Sequence, residues 1–184
     1  YEIMPRAKLL IREPDEDPTV VKFDTPDTAN ETDMVSQIFL DNPISGGDFV
    51  GDTREMALSL TSRGINGNGI ETYRVTAGRT LFLQDRGITL SGSPETTEQG
   101  PLVVKSSVRL AESFNWNTRF TSVADGETMD TATNELKYRK SDTEYVTQRI
   151  VWDNDAATRT DLYVSNQLSQ EWRFLAGLQL SLIH

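Results

Sequence analysis

Apolar and polar residues alternate along nine stretches of this chain, each 9 to 14 residues long. The pattern is clearest over residues 53–65, where Met56, Leu58 and Leu60 are separated by small or charged residues. A period of two places apolar side chains on one face of an extended strand and polar ones on the other. Strands of soluble proteins usually have about 5 or 6 residues, whereas a tilted strand needs about 9 to 11 to cross a bilayer. The length of the alternation therefore favours strands that span a membrane.

The pattern predicts an all-β, antiparallel up-and-down sheet. We predict strands at residues 2–12, 53–65, 70–83, 102–112, 116–124, 128–140, 143–154, 157–168 and 172–183. Two connections are long and rich in Asp, Pro, Gly, Thr and Glu, namely residues 13–52 and 84–101. The others are short, and Asn66-Gly67-Asn68-Gly69 is a strong hairpin signal. Both long loops then lie at one end, with the tight turns after the even-numbered strands at the other, which is typical of outer-membrane barrels.

Composition agrees with a membrane barrel and excludes some other classes. The hydrophobic fraction is 36%, below the roughly 45–50% of soluble globular chains, and a barrel needs fewer apolar residues because lipid covers its outer face. The net charge of −10 argues against a nucleic-acid partner. The chain opens at Tyr1 without a basic and apolar leader, so we expect any signal peptide to be absent or removed.

Basic residues recur on the polar side of the predicted strands. They are Arg63, Arg74, Lys105, Arg109, Arg119, Lys137 and Arg139. One interpretation is a hydrated lumen of mixed charge, in which these groups have no individual role. The alternative is a path for an anionic amphiphile, with the basic groups binding its phosphates in turn.

Two tryptophans end similar local sequences. Residues 110–116 and 168–172 each leave a strand at a Leu, turn, and re-enter through Trp116 or Trp172. Both turns fall at the short-turn end, where an interfacial girdle of aromatic residues is expected in a barrel. The alternative is that they cap the edge of an ordinary sandwich. Residues 31–41 have helix-like apolar spacing, which fits a short amphipathic helix or a packed loop equally well.

The sequence offers little material for catalysis, metal binding or a cofactor. Its single histidine, His184, leaves no base for an internal Ser-His-Asp triad. Asp153-Asn154-Asp155 begins like a calcium loop, but Ala157 and Thr158 replace a ligand and the turn glycine. We therefore expect no catalytic residue, no metal site and no cofactor.

Several motifs resemble the LptD family, the outer-membrane lipopolysaccharide-assembly proteins of Gram-negative bacteria. They are Phe23-Asp24-Thr25, the loop 42–52, and the strand that ends Leu60-Thr61-Ser62-Arg63. The loop holds the residues that make the resemblance most specific, which are Ser45, Gly46, Asp48, Gly51 and Asp52. Phe49 stands where the family usually has Arg, so a role for that Arg does not carry over.

The resemblance implies a segment of a much larger barrel that places lipopolysaccharide in the outer leaflet of the bacterial cell outer membrane. It also implies an LptE-like plug lipoprotein and an LptA-like periplasmic bridge, the latter through an N-terminal domain that residues 1–184 do not include. Nine strands is an odd number, and the chain ends without a terminal aromatic residue. We therefore expect a middle piece of the barrel wall that lacks both gate strands and could not transport alone.

Two other classes of function compete with this interpretation. A soluble all-β binding module would fold and remain monomeric in buffer without an amphiphile. An outer-membrane barrel hydrolase would lose activity on substitution of one loop carboxylate. The absence of an internal histidine and of a Ser-centred elbow counts against the hydrolase.

Overall fold

Long strands make up most of the described structure. The computed structural model describes residues 1–12, 38–39, 53–85, 96, 98–122, 128–154 and 157–183. Within these residues the strands are β1 Glu2–Arg12, β2 Thr53–Ile65, β3 Glu71–Phe82, β4 Val103–Ala111, β5 Phe114–Ser122, β6 Met129–Arg139, β7 Tyr145–Asp153, β8 Ala157–Gln167 and β9 Arg173–Ile183. All nine predicted strands are confirmed, and each observed end lies within two residues of its prediction.

The strands form one sheet whose spatial order is their order in the sequence, β1 to β9, and each pairs antiparallel with the next. This confirms the all-β up-and-down architecture, and it is the arrangement of a partial β-barrel. All nine strands have 9 to 13 residues. Within the described residues, no helix is long and apolar enough to cross a membrane.

The hairpin predicted between β2 and β3 is confirmed. The Gly69 N–H donates to the Asn66 carbonyl at 3.0 Å, and the Asn66 side-chain oxygen accepts the N–H groups of Asn68 and Ile70, each at 3.0 Å. Gly69 has a φ of 78°, which a residue with a side chain rarely adopts. The turn therefore depends on its glycine and its asparagine, as the sequence indicated.

Between the predicted strands 102–112 and 116–124, the sequence predicts a turn at Phe114-Asn115. That prediction is wrong, because β4 and β5 are joined by Glu112 and Ser113. Phe114 is instead the first residue of β5, opposite Ala111 on β4 and Tyr138 on β6. Its ring centroid lies 4.7 Å from that of Tyr138. An aromatic residue gains more from such a cross-strand pair than from a turn position, which small polar residues tolerate better.

The sheet has a polar face and an apolar face. Residues that pair across neighbouring strands lie on the same face, so the strand register assigns each residue to one of the two. The polar face contains Glu2, Met4, Arg6, Lys8 and Leu10 of β1 and the residues in register with them, and the apolar face contains Ile3, Pro5, Ala7, Leu9 and Ile11 and those in register with them. The apolar face exposes large hydrophobic side chains along its length, including Ile3, Leu9, Ile11, Leu58, Leu60, Val75, Trp116, Leu136, Ile150, Leu162, Phe174, Leu178, Leu180 and Leu182.

Burial is concentrated on the polar face. The buried hydrophobic residues among those described are Phe39, Ala57 and Val103. Ala57 and Val103 lie on the polar face, near the first residues of β2 and β4, where the long connections enter these strands. What core there is therefore sits on the polar side of β2 to β4, where small side chains are covered.

Candidate functional site on the polar face

Charge is divided between the strands and the segments that join them. The nine strands contain 15 Lys and Arg residues and 7 Asp and Glu residues, so they carry a net charge of +8. The remaining 3 basic and 21 acidic residues give the connections −18, which together make the −10 of the chain. The connections that follow odd-numbered strands hold 17 of those acidic residues and 2 of the basic ones. A basic sheet is thus joined to one strongly acidic end.

The seven basic residues singled out from the sequence all fall on the polar face by strand register. Arg63 is opposite Arg74, and Lys105 is opposite Arg119. Arg109 and Lys137 both face Asn115, and Arg139 faces Tyr145. Their placement on one face does not test what they bind, so their role in a lumen stays a prediction.

Among the side chains that the structure describes, five further cations share this face and were not among the residues selected from the sequence. They are Arg6, Lys8, Arg149, Arg159 and Arg173. The same alternation would have identified them, because each occupies a polar position of its strand. With them, every strand from β1 to β9 contributes at least one cation to the polar face.

Carboxylates neutralise part of this face near the short turn between β2 and β3. Arg63 donates to Glu2, with its Nη2 2.6 Å from Oε2, and its Nη1 lies 3.8 Å from Oε2 of Glu71. Arg74 binds Glu71 through two nitrogens, at 2.6 and 2.9 Å. These pairs are partly exposed, and such pairs contribute only about 0–1 kcal/mol each to stability.

One ion pair on the opposite half of the sheet is less exposed. Arg159 donates from Nε to Oδ2 of Asp161 at 3.1 Å, and Asp161 is only 2% exposed. The second carboxylate oxygen, Oδ1, is buried and has no hydrogen-bond donor among the residues that the structure describes. Arg159 therefore supplies much of the compensation for this buried charge.

A cavity of about 490 Å³ lies over β1 to β4 on the polar face. Its lining consists of Met4, Pro5, Arg6, Phe39, Ser59, Thr61, Arg74, Thr76, Lys105 and Ser107. Four of these side chains carry hydroxyls and three carry a positive charge. The hydroxyls of Thr61 and Thr76 are 2.9 Å apart, which links the middle of β2 to β3 across the cavity floor.

Two residues from the first long connection pack onto this part of the face. The Arg6 guanidinium lies over the Phe39 ring, 4.0 Å from its centroid, and the Lys8 Nζ donates to the Phe39 carbonyl at 3.2 Å. A methyl group at Gly78 would come within 2.7 Å of Ile38 Cδ1, so Ile38 can pack here because glycine has no side chain. Phe39 is consequently 8% exposed. The rest of the helix-like stretch 31–41 lies outside the described residues.

The two tryptophans lie towards the short-turn end of the sheet. Trp116 is the third residue of β5 on the apolar face, 44% exposed, and its indole N–H donates to Asn134 Oδ1 at 3.0 Å. Trp172 directly precedes β9 and is 71% exposed. Its carbonyl accepts the N–H groups of Leu168 and Ser169 at 2.9 and 3.1 Å. Their membership of an interfacial girdle stays a prediction.

The remaining residues selected from the sequence lie outside the described part of the chain. They are the loop residues Ser45, Gly46, Asp48, Gly51 and Asp52. Within the described residues, no group of three His, Asp or Glu side chains is arranged to hold a metal ion.

Comparison with known proteins matches residues 4–180 to the family LptD, described as LPS transport system D. The LPS-assembly protein LptD of Pseudomonas fluorescens is 32% identical over 99 residues, which cover 54% of this chain and 10% of that protein. The protein of the same name from Ectopseudomonas mendocina is 28% identical over 128 residues, covering 63% and 13%, respectively. This chain thus spans roughly a tenth of the length of these relatives. Because the family match extends over nearly the whole chain, the chain belongs to the LPS transport system D family, LptD.

Proposed function

We propose that this chain forms part of the wall of an outer-membrane barrel that assembles lipopolysaccharide into the outer leaflet. It acts as a conduit and makes or breaks no bond. The observation that carries the proposal is the division of one continuous sheet into a basic polar face and an exposed apolar face. Membership of the LptD family supports the same substrate.

The two faces suit the two environments of such a barrel wall. Lipopolysaccharide carries phosphates and sugars that must pass a hydrated surface, and cations with hydroxyls provide charge-assisted and neutral hydrogen bonds to both. The opposite face exposes leucine, isoleucine and aromatic side chains along strands long enough to cross a bilayer. An apolar surface of this extent disfavours the soluble binding module, since monomeric soluble proteins rarely expose one.

The orientation follows from the difference between the two ends. Short turns of outer-membrane barrels lie in the periplasm, so the turns after β2, β4, β6 and β8 face the periplasm and the acidic connections face the cell exterior. Trp116 and Trp172 then lie at the periplasmic interface. An LptE-like lipoprotein inside the lumen and an LptA-like bridge on a separate periplasmic domain complete the proposed assembly, and family membership supports them.

The proposal is tested by site-specific photocrosslinking in cells that produce the full-length protein. A photoreactive amino acid at Thr133 on the polar face should form an adduct with lipopolysaccharide. The same group at the adjacent Ala132 on the apolar face should not, although both positions lie on β6. An adduct only at Ala132, or none at any polar-face position of a folded and functional protein, would exclude a conduit lined by this face.

A further inference from the structure

Two arginines lie on the apolar face of β2 and β3, at one end of a groove in its surface. We propose that this groove binds a lipopolysaccharide molecule of the outer leaflet from the membrane side. One acyl chain occupies the groove, and the phosphates of the head group bind the two arginines. The proposal rests on the proposed function, because it takes the apolar face as lipid-facing and the long connections as exterior. It adds a site on the outside of the barrel wall, whereas the conduit uses the polar face.

The groove runs over β1 to β3, and most of the residues that line it lie on the apolar face. Its volume of about 600 Å³ falls within the roughly 300–1,000 Å³ of ligand sites in proteins. Small residues create it, because Pro5 and Ala7 of β1 and Ala77 of β3 lie beside Leu58 and Leu60 of β2. A recess formed by small apolar side chains next to leucines suits a lipid acyl chain.

Arg79 lies at the end of the groove nearer the long connections. Its Nε donates to the Gly100 carbonyl at 3.1 Å, and its Nη1 donates to the side-chain oxygen of Gln99. Gln99 pairs with Leu81, which is nearer the end of β3 than Arg79. The side chain therefore extends toward the membrane interface, as expected of an arginine on a lipid-facing surface. A cation costs less there than at the bilayer centre.

Arg54 provides a second positive charge at the same end of the apolar face. It lies on β2, opposite Ile11 of β1, and is exposed. It makes no ion pair with any residue that the structure describes. The other basic side chains described in the strands lie on the polar face, so the two arginines of the apolar face are neighbours at one end of it. Charges that face lipid are costly, and two of them together indicate an anionic partner.

The positions of the two arginines suit a head group with more than one phosphate. Arg54 is nearer the end of β2 than Leu58, the residue opposite Arg79, so the two arginines lie at different depths. Lipopolysaccharide carries several phosphates, and a guanidinium binds two phosphate oxygens through paired N–H groups. A simple glycerophospholipid brings one phosphate. In the proposed orientation this end faces the leaflet that receives lipopolysaccharide, so we assign the groove to that lipid.

Photocrosslinking of the full-length protein in vesicles tests the site. The vesicles consist of phosphatidylcholine with a minor fraction of either lipopolysaccharide or phosphatidylglycerol. A small photoreactive amino acid replaces Ala77 in the groove or, as the matched control, Ala132 on β6. Both alanines lie on the apolar face in one cross-strand row, which runs through Val104 and Phe120, and so at the same depth.

We expect the lipopolysaccharide adduct at Ala77 to exceed that at Ala132 by at least about fivefold, because only Ala77 lies beside the two arginines. Phosphatidylglycerol should give similar yields at the two positions. Arg54→Gln and Arg79→Gln should each lower the lipopolysaccharide adduct at Ala77 by at least about threefold.

Lys137→Gln is the control for charge, because it removes one cation from the polar face on β6. Its adduct at Ala77 should stay within about 1.5-fold of the parent protein, since distant exposed charges are screened. Arg54→Gln removes no hydrogen bond or ion pair between described side chains, so it tests the site even if Arg79→Gln disturbs the contact with Gly100. The mobility of unheated protein on electrophoresis verifies that each variant is folded.

Three results would overturn the site: equal lipopolysaccharide adducts at Ala77 and Ala132, an equal excess at Ala77 for phosphatidylglycerol, or an unchanged adduct in both arginine variants. The first would mean contact with bulk lipid, the second an unspecific site for anionic lipids, and the third contact with acyl chains alone. None would touch the conduit, because crosslinking at Thr133 tests that separately. The expected adduct at Ala77 with none at any polar-face position would remove the conduit and keep this site.

Discussion

Burial on the two faces of the sheet is the reverse of that in a soluble protein, because polar side chains are buried and large apolar side chains are exposed. On the polar face Thr80, Thr121, Asp161 and Ser165 are all 8% exposed or less. On the apolar face Ile3 is 61% exposed and Leu180 is 56% exposed. Burying apolar surface is the dominant favourable contribution to folding in water, so a chain with this distribution gains little of it in water. The difference indicates that the apolar face is solvated by something other than water.

The largest expected effect comes from placing a charge on the apolar face. Leu60→Arg, near the middle of β2, should destabilise the full-length protein in lipid vesicles by about 2–4 kcal/mol, the cost of an arginine facing the bilayer centre. The neighbouring Thr61→Arg should cost at most about 1 kcal/mol, mainly through the lost hydroxyl contact with Thr76. The denaturant midpoint measures both, and similar costs at the two positions would contradict the assignment of the faces.

The next effect concerns the residue that covers the polar face. Phe39→Ala should cost about 2–3 kcal/mol, because it removes a buried ring and its contact with the Arg6 guanidinium. Phe39→Leu keeps most of the apolar surface and should cost only about 0.5–1 kcal/mol, the contribution of the cation–π contact. The denaturant midpoints of the two variants give the comparison. If neither variant changed stability, Phe39 would not be docked on the polar face.

A smaller effect on stability is expected where Ile38 covers the polar face at Gly78 than at the positions above, and none where the face is open at Gly177. A methyl group at Gly78 would lie 2.7 Å from Ile38 Cδ1 and 3.1 Å from the Leu58 carbonyl oxygen, so Gly78→Ala should destabilise by about 1 kcal/mol. At Gly177 on β9 the nearest atoms are those of the Tyr163 ring, at 3.3 Å.

Gly177→Ala is the matched control, since both glycines lie on the polar face opposite a residue of the preceding strand. It should stay within about 0.5 kcal/mol of the parent, because the loss of unfolded-state entropy offsets a contact that the ring can relieve. The two denaturant midpoints are compared in the same vesicles. Equal costs would mean that Ile38 does not restrict the space above β3.

The sequence was sufficient for the strands and insufficient for what packs against them. A period of two over 11 or 13 residues determines both the extended conformation and the face on which Leu60 or Thr61 lies, because it depends only on local geometry. The β4–β5 turn was misplaced by two residues, since Phe114 gains from a cross-strand partner that local sequence does not reveal.

The covered cavity could not be read from the sequence for the same reason. Lys8 and Phe39 are 31 positions apart, and no period connects them. Gly78 within a strand was the available signal, because a glycine there often marks the close approach of another segment. The burial of Asp161 likewise depends on its neighbours in space and has no counterpart in the alternation.

The smallest effect on stability is expected from a substitution in the turn between β6 and β7, which belongs to neither face of the sheet. Lys140 donates to Glu144 at 2.8 Å, and this hydrogen bond to a carboxylate raises the pKa of Lys140 above its usual value. A raised pKa means that the contact stabilises the fold below the ordinary lysine pKa and is lost as the pH rises through the raised value. Lys140→Gln should therefore lower the denaturant midpoint slightly well below that pKa, and the difference from the parent should vanish well above it. High salt should reduce the same difference, because Lys140 is exposed to solvent and Glu144 is partly exposed. A difference in denaturant midpoint that persisted at high pH would show that the Lys140 side chain acts through packing in the turn and not through its charge.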